Sequence, residues 1–568
     1  MQLFPREARA VTTGRYRVEN RSGVPISELI VAWSPRLLLD RLEFAGATLK
    51  SERADWGHRH YLLATPMQPG ESRELHFATT LQERGFVNGA PLTRIVENGS
   101  FLDNGEIAPG LGVPREAFLK DRAKRRKHGL PPDLRPPALE DEHARAFNGL
   151  RSDSDWVQAD ITVSTDADQT PIAPGYTVSD VTRDGRRSVR FKTDAPINHF
   201  FSIQSARYAV KTDRLGAVEL AVYHQPGHDY NVDRMLAAMK ASLQLFGEQF
   251  SPYQFRQARI LEFPSYGNFA QSFANTIPYS ENIGFLTRLD DPDKIDVVTY
   301  VTAHEIAHQW WGHQLSPSPQ QGNTLLVESF AQYSALLVME KLYGPEQMRR
   351  FLKYELDRYL RSRGGEVVEE MPLARVENQP YIHYQKGSLA MWWAKEALGV
   401  EVVNRTLAKL LQQYAFKPAP YANSNDFLRV LRAEAGADKA AHQALITDLF
   451  EKITLLDLKA RDATATRRPD GRWDVRFTVD ARKLYADGKG VETEAPLDEE
   501  AEIGAFTVEP GKSGYTAQAV LALQRQRLKS GSQQITLTVA QKPAYVGVDP
   551  YNKRIDRNSE DNLSAVKE

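Results

Sequence analysis

The sequence predicts an α+β chain of several domains, with β-rich ends and a helical centre. Three observations carry this. The first two hundred or so residues hold short runs of alternating apolar and polar residues. From about residue 206 apolar residues recur at helical spacing, and after about 457 the alternation returns. The pattern divides the chain at 1–205, 206–456 and 457–568, and 568 residues suffice for a large core in each part.

Within 1–205, GRYRVEN, ISELIVAW, RELHFATTL and ADITVST read as strands. Asp184-Gly185, between TVSDVTR and RRSVRF, reads as a hairpin turn. KDRAKRRKHGLPPDLRPPALEDEHAR is basic at Lys120–Lys127 and acidic at Glu140–Glu142. Its change of sign and its lack of stacking aromatics make it a solvated loop on its own domain rather than a phosphate-binding arm. In the centre, Tyr230–Phe250 is helical with Asn231 as its cap, ARILEFP is a strand and NTIPYSENIGFL another. Helices are expected over Asp296–His313, Leu325–Tyr343, Gln347–Arg361, Lys386–Leu398, Glu401–Tyr414, Asn425–Glu434 and Ala440–Glu451. The tail turns about Asp470-Gly471, and QQITLTVAQKPAYVGVDP supplies its last strands, which reads as a small antiparallel sandwich.

Composition excludes several function classes. A formal net charge of −1 gives no global attraction to nucleic acid or to an anionic membrane. There is no cysteine, so disulfides and thiolate ligands are excluded and any metal must be held by His and carboxylate. No apolar run approaches the ~18 residues of a membrane span. The opening MQLFPREARAVTTGRY lacks a basic stretch followed by an apolar core, so no signal peptide is visible. The expected setting is soluble as given: cytoplasmic, or an extramembrane domain of a membrane fusion protein.

The chemistry lies in HEIAHQWWGHQ, which begins at His304. On a helix His304 and His308 stand one turn apart on the same face. Two imidazoles there can share one tetrahedral Zn²⁺, with Glu305 beside it. A catalytic zinc takes three protein ligands and keeps one position open. Glu328, in the run VESFAQYSALLVMEK, is the expected third ligand. The bland alternative is a helix with two histidines bonded to their neighbours.

With those residues in hand, the sequence resembles the M1 zinc aminopeptidases (gluzincins). HEIAHQWWG is similar to the family's HELAHQWFG, and LVESFAQY to its LNEGFASY. The resemblance implies one Zn²⁺ held by His304, His308 and Glu328, with Glu305 as general base. Nineteen residues separate His308 from Glu328, one more than in the family, which puts an extra residue in the Pro/Ser/Gly-rich SPSPQQGN. YIHYQKGSL is similar to the family's YEKG segment and implies Tyr384 as the tyrosine that donates to the developing oxyanion. Tyr381 lacks the following x-Lys-Gly. PYSENIGF resembles GxMENxG, which implies Glu281 as the carboxylate for the substrate's free α-ammonium, although Pro278 and Ser280 replace the motif's Gly and Met. A second amine-binding residue falls on Asn98, counted back from a Phe-Pro landmark matched to Ala108-Pro109, with Glu97 and Glu106 as rivals.

The resemblance covers nearly the whole chain. It implies a β-saddle domain (1–205), a thermolysin-like α/β catalytic domain (206–456) and a small β-sandwich (457–568), without the C-terminal helical domain of many members. IAHQWWGHQL, AQYSALLVMEK and RYLRSRGGE are most similar to the peptidase half of bacterial fusions, in which an ABC-type transporter permease precedes an M1-like domain. The implied activity is zinc-dependent removal of the first residue from peptides with a free N-terminus. The alternatives are a thermolysin-type endopeptidase, and an inactive zinc-binding module that docks peptides for a membrane transporter. No nucleic-acid partner is expected.

Overall fold

The computed structural model of the chain describes residues 1–82, 94–151, 153–365 and 368–567. The last residue of the RYLRSRGGE stretch, Glu366, lies outside them. At the front, a seven-stranded sheet is built around Arg9–Glu19 and Ser72–Gln82, antiparallel in unbroken register from Arg9 opposite Gln82 to Glu19 opposite Ser72. A four-stranded sheet containing Ile26–Ala32 shares its apolar core, which includes Val31, Phe44, Leu75, Phe77 and Phe191. Asp184 and Gly185 take φ of 52° and 75° between Tyr176–Arg183 and Arg186–Lys192, the two-residue turn that their sequence favours.

The charged stretch after residue 120 leaves its own sheets. Asp121 caps a short helix, Arg122–Lys127, and Arg125 folds inward to donate to the carbonyls of Pro131 and Leu119. The chain then crosses to the helical part. There Gln320 donates to the carbonyls of Ala138 and Leu139, and Arg135 bridges Glu369 and Glu377. The basic run Lys120–Lys127 stays largely exposed, but Arg135, Glu140 and Arg145 pair with Glu369, Glu377, Arg375 and Asp426 on another part of the fold, so the later half of the stretch is a strap across the junction.

The central sheet runs in the order Ala209–Leu215, Val218–His224, Gln257–Phe263, Thr276–Ser280, and the last three strands are parallel. The helix Val232–Gln249 makes the crossover between the second and third strands, and buries Met235, Leu236, Met239, Leu243 and Phe246 at three- and four-residue intervals. The helix bearing the histidines is shorter than predicted. It spans Val297–Ala307 with His308 as its cap. Trp310 and Trp311 are fully buried beyond it, and Gly312, at φ 125°, reverses the chain in a conformation that an L side chain rarely adopts.

In the tail, Ile453–Arg467, Trp473–Ala486 and Gly531–Val539 lie in one sheet, and Val520–Lys529, Asp498–Phe506 and Tyr545–Val548 in another. The strands Asp498–Phe506 and Val520–Lys529 were not expected, because the acidic Asp498–Glu500 masks the alternation at the start of the first. One apolar core runs unbroken from Leu220 through Trp310 and Trp393 into the tail at Val546 and Ile555, while the front core is separate. The architecture is the α+β one that the sequence predicts. Among the described residues, no helix is long and apolar enough to cross a membrane.

Candidate metal centre

His304, His308 and Glu328 converge. The histidine rings stand at 89° to each other with their Nε2 atoms 3.0 Å apart, and Glu328 Oε2 is 3.4 Å from each. His308 Nδ1–H donates to the Trp311 carbonyl at 3.0 Å, which leaves the Nε2 lone pair facing the other two residues. Electron-rich atoms this close repel one another unless a proton or a metal cation lies between them. A tetrahedral ion with bonds of about 2.0–2.1 Å has ligand–ligand edges of about 3.3 Å, which suits the observed spacing. Glu328 Oε2 is also buried without a hydrogen bond. These residues fit one Zn²⁺.

Local structure explains how Glu328 arrives there. It sits in a π turn, Leu325–Ser329, at the head of the helix Phe330–Tyr343. A π turn takes one residue more per hydrogen-bonded ring than an α turn, so the helix start has room for the additional spacer residue, as does the loop before it. Glu305 is 6% exposed, and its Oε2 has no hydrogen-bond partner among the described residues. Burial pushes its carboxyl above the ordinary value, with His304 and His308 pulling the other way. All four residues line a cleft of ≈ 530 Å³, within the usual range for a ligand site.

Tyr384 lines the same cleft from a second π turn, Tyr381–Lys386, its ring 5.7 Å from that of His304. Burial, and then the nearby Glu328 and Glu305, raise its phenol far above the usual range, so the hydroxyl keeps its proton and is a donor. Tyr381 instead stacks on Tyr359 at 6.1 Å and 18°, and is not among the residues of the cleft. The turn is seated by a buried ion pair. Lys386, 1% exposed, donates to Glu370 Oε1 at 3.1 Å, and Tyr359 and Arg363 each donate to the same carboxylate at 2.6 Å. Removing one partner from such a set strands a charge, at about 3–5 kcal/mol.

Gly387 sets the spacing between the two π turns. A Cβ there would lie 2.1 Å from Ser329 Oγ, whose hydroxyl donates to the His383 carbonyl at 2.6 Å. Gly387→Ala is expected to destabilise the protein by about 1–3 kcal/mol, read as a lower denaturant midpoint. An unchanged midpoint would mean that the contact yields freely.

Another wall of the cleft is a hairpin that the sequence analysis did not predict. Residues 269–273 fold back on Thr276–Ser280. Gln271 N–H donates to Pro278 at 3.1 Å, Ser280 N–H donates to Phe269 at 3.0 Å, and Asn275 turns the chain at φ 51°. Gln309 and His313 tie this hairpin to the segment that bears His304 and His308. The Gln309 amide donates to Ser272 Oγ at 2.7 Å and to the Phe273 carbonyl at 2.9 Å, and accepts from Asn275 N–H at 2.8 Å. His313 Nε2–H donates to the Ser272 carbonyl at 3.0 Å, and burial pushes its ring down to about 4, so it stays neutral. Phe269, Gln271 and Phe273 alternate just before Ala274-Asn275, which is the signal in the sequence for this hairpin.

The structure does not bring Glu281 or Asn98 to the cleft. Because residues 269–273 occupy the edge of Thr276–Ser280, Glu281 beyond that strand is turned elsewhere. Its Oε1 accepts from Ser265 N–H at 2.9 Å, beside His228 and Glu262. Asn98 is held at the junction, donating to Gln225 Oε1 at 2.7 Å and accepting from Arg207 N–H at 2.8 Å. Of the rivals, Glu106 pairs with Arg94 inside a capping box, and the Glu97 side chain is 68% exposed near Arg207.

Residues 234–450 match the Peptidase family M1 domain. Over 236 residues the chain is 26% identical to Aminopeptidase M1-B of Oryza sativa subsp. japonica, covering 40% of this chain and 26% of that protein. Over 233 residues it is 24% identical to Endoplasmic reticulum aminopeptidase 1 of Rattus norvegicus, covering 38% and 24%. The matched stretch thus spans about a quarter of these relatives. The solved M1 zinc metallopeptidase from Deinococcus radiodurans is similar with a TM-score of 0.52, over 79% of this chain and 91% of that one, at 16% identity, a likeness of fold.

Proposed function

We propose that this chain, whose residues 234–450 belong to peptidase family M1, is a zinc-dependent aminopeptidase that removes the first residue of a peptide. One observation carries the reading: His304, His308 and Glu328 converge to 3.0–3.4 Å in a cleft that also holds Glu305 and Tyr384. The aminopeptidase names of the similar proteins support it.

His304, His308 and Glu328 hold the metal. When bound, Zn²⁺ supplies Lewis acidity, which makes water easier to deprotonate and polarises a carbonyl. Glu305 takes the proton of the attacking water and passes it to the leaving amine. The Tyr384 hydroxyl donates to the scissile carbonyl oxygen as negative charge develops there. Gln309 and His313 keep the hairpin wall fixed against the helix that bears the ligands.

A panel of aminoacyl-amide fluorogenic substrates, assayed with and without Zn²⁺ beside the Glu305→Gln protein, tests this. One zinc per chain is expected, with hydrolysis lost on chelation and restored by Zn²⁺. Glu328→Ala should retain much less metal. Metal analysis after loading that finds no stoichiometric zinc would sink the reading.

A further inference from the structure

We propose that the cleft receives the first residue of the substrate on a neutral wall, with Gln271 facing it, so that a charged N-terminus is not required. The substrate class then includes peptides whose first nitrogen is uncharged, N-acylated peptides being the simplest. This rests on the peptidase reading above and widens the substrates of that same site.

Three observations lead there. First, among the described residues that line the cleft, only Glu305 and Glu328 are acidic. Glu328 converges with the histidines and Glu305 is the proton acceptor proposed above, so neither is spare to hold an ammonium. A carboxylate would give an ammonium a charge-assisted contact, roughly twice as strong as one from a neutral oxygen. Glu281, which the sequence suggested, accepts from Ser265 N–H outside the cleft.

Second, the hairpin presents a free backbone edge to the cleft. Gln271 N–H and the Phe269 carbonyl point to Thr276–Ser280, so the polar groups of Ala270 and Ser272 point the other way. His313 occupies the Ser272 carbonyl. Among the described residues, the Ala270 N–H and C=O and the Ser272 N–H have no backbone partner. Such an edge grips an extended peptide through its main chain, which free and acylated peptides share.

Third, Gln271 lines the cleft half-buried, and its amide makes no hydrogen bond among the described residues. A primary amide has both an acceptor and donors. Its oxygen accepts from an amine or an amide N–H, and its NH₂ donates to an acyl carbonyl. Neither contact depends on a net charge.

The test compares kcat/KM for release of the first residue, free or acetylated, from one peptide with free and acetylated N-termini, in the unmutated protein and in Gln271→Glu. Cleavage only at internal bonds falls on the aminopeptidase reading. The unmutated protein is expected to favour the free peptide by less than roughly ten-fold, and Gln271→Glu to raise that preference by roughly ten-fold or more, because a charge-assisted contact has been added. A ten-fold or larger preference in the unmutated protein overturns the proposal, as does a Gln271→Glu protein with an unaltered ratio. Hydrolysis of neither peptide falls on the peptidase reading. Calorimetric binding of both peptides to the Glu305→Gln protein then decides the inference: similar affinities support it, and a ten-fold preference for the free peptide overturns it.

Discussion

Glu305→Gln is expected to lower kcat by roughly 10²–10⁴ while the protein still binds zinc, because a positioned proton acceptor contributes about that much. The amide has nearly the same shape as the carboxylate but cannot take a proton from water. Glu305 is also not one of the three residues whose donor atoms converge, so its change leaves the His304–His308–Glu328 spacing in place. The two measurements are independent. Metal content should match the unmutated protein, and turnover should not. A Glu305→Gln protein that turns over at close to the full rate would remove Glu305 from its role. One that had lost its metal would place it among the ligands.

Tyr384→Phe is expected to lower kcat by roughly 10²–10³ with little change in KM, since one donor to the developing oxyanion is lost and the ring is kept. Tyr381→Phe should be milder. Its ring stacks on Tyr359 away from the cleft, and the stack survives without the hydroxyl. The pair of variants separates chemistry from packing, because both sit in one π turn, anchored by the same Lys386–Glu370 contact. If Tyr381→Phe were the more damaging, the assignment within YIHYQKG would be reversed.

Much of the site is legible in the sequence because it is local. An i, i+4 pair of histidines shares a helix face whatever surrounds it, so spacing alone pairs His304 with His308 and sets Glu305 beside them. The Asp184-Gly185 turn and the apolar stripe of Val232–Gln249 are local in the same sense. Lys386 and Gly387 favour Tyr384 over Tyr381 in the sequence only through the resemblance to YEKG. What the lysine and the glycine do appears only in three dimensions, where the lysine meets Glu370 and the glycine meets Ser329.

Hydrogen bonding between distant segments decided the rest. A strand's alternation says which residues share a face, but not which neighbour covers its edge. Residues 269–273 cover the edge of Thr276–Ser280, and this one pairing carries Glu281 away from the cleft and brings Gln271 to it. The same holds for the charged strap, whose signs are plain in the sequence but whose partners, Glu369 and Glu377, lie more than two hundred residues along the chain. By itself the sequence determined the fold class, the helix that carries the histidines and the residues able to hold a metal. Tertiary structure decided how Glu328 meets them and which residues wall the cleft, because the spacing of apolar residues encodes faces whereas edge pairing is settled by which unpaired backbone groups come together.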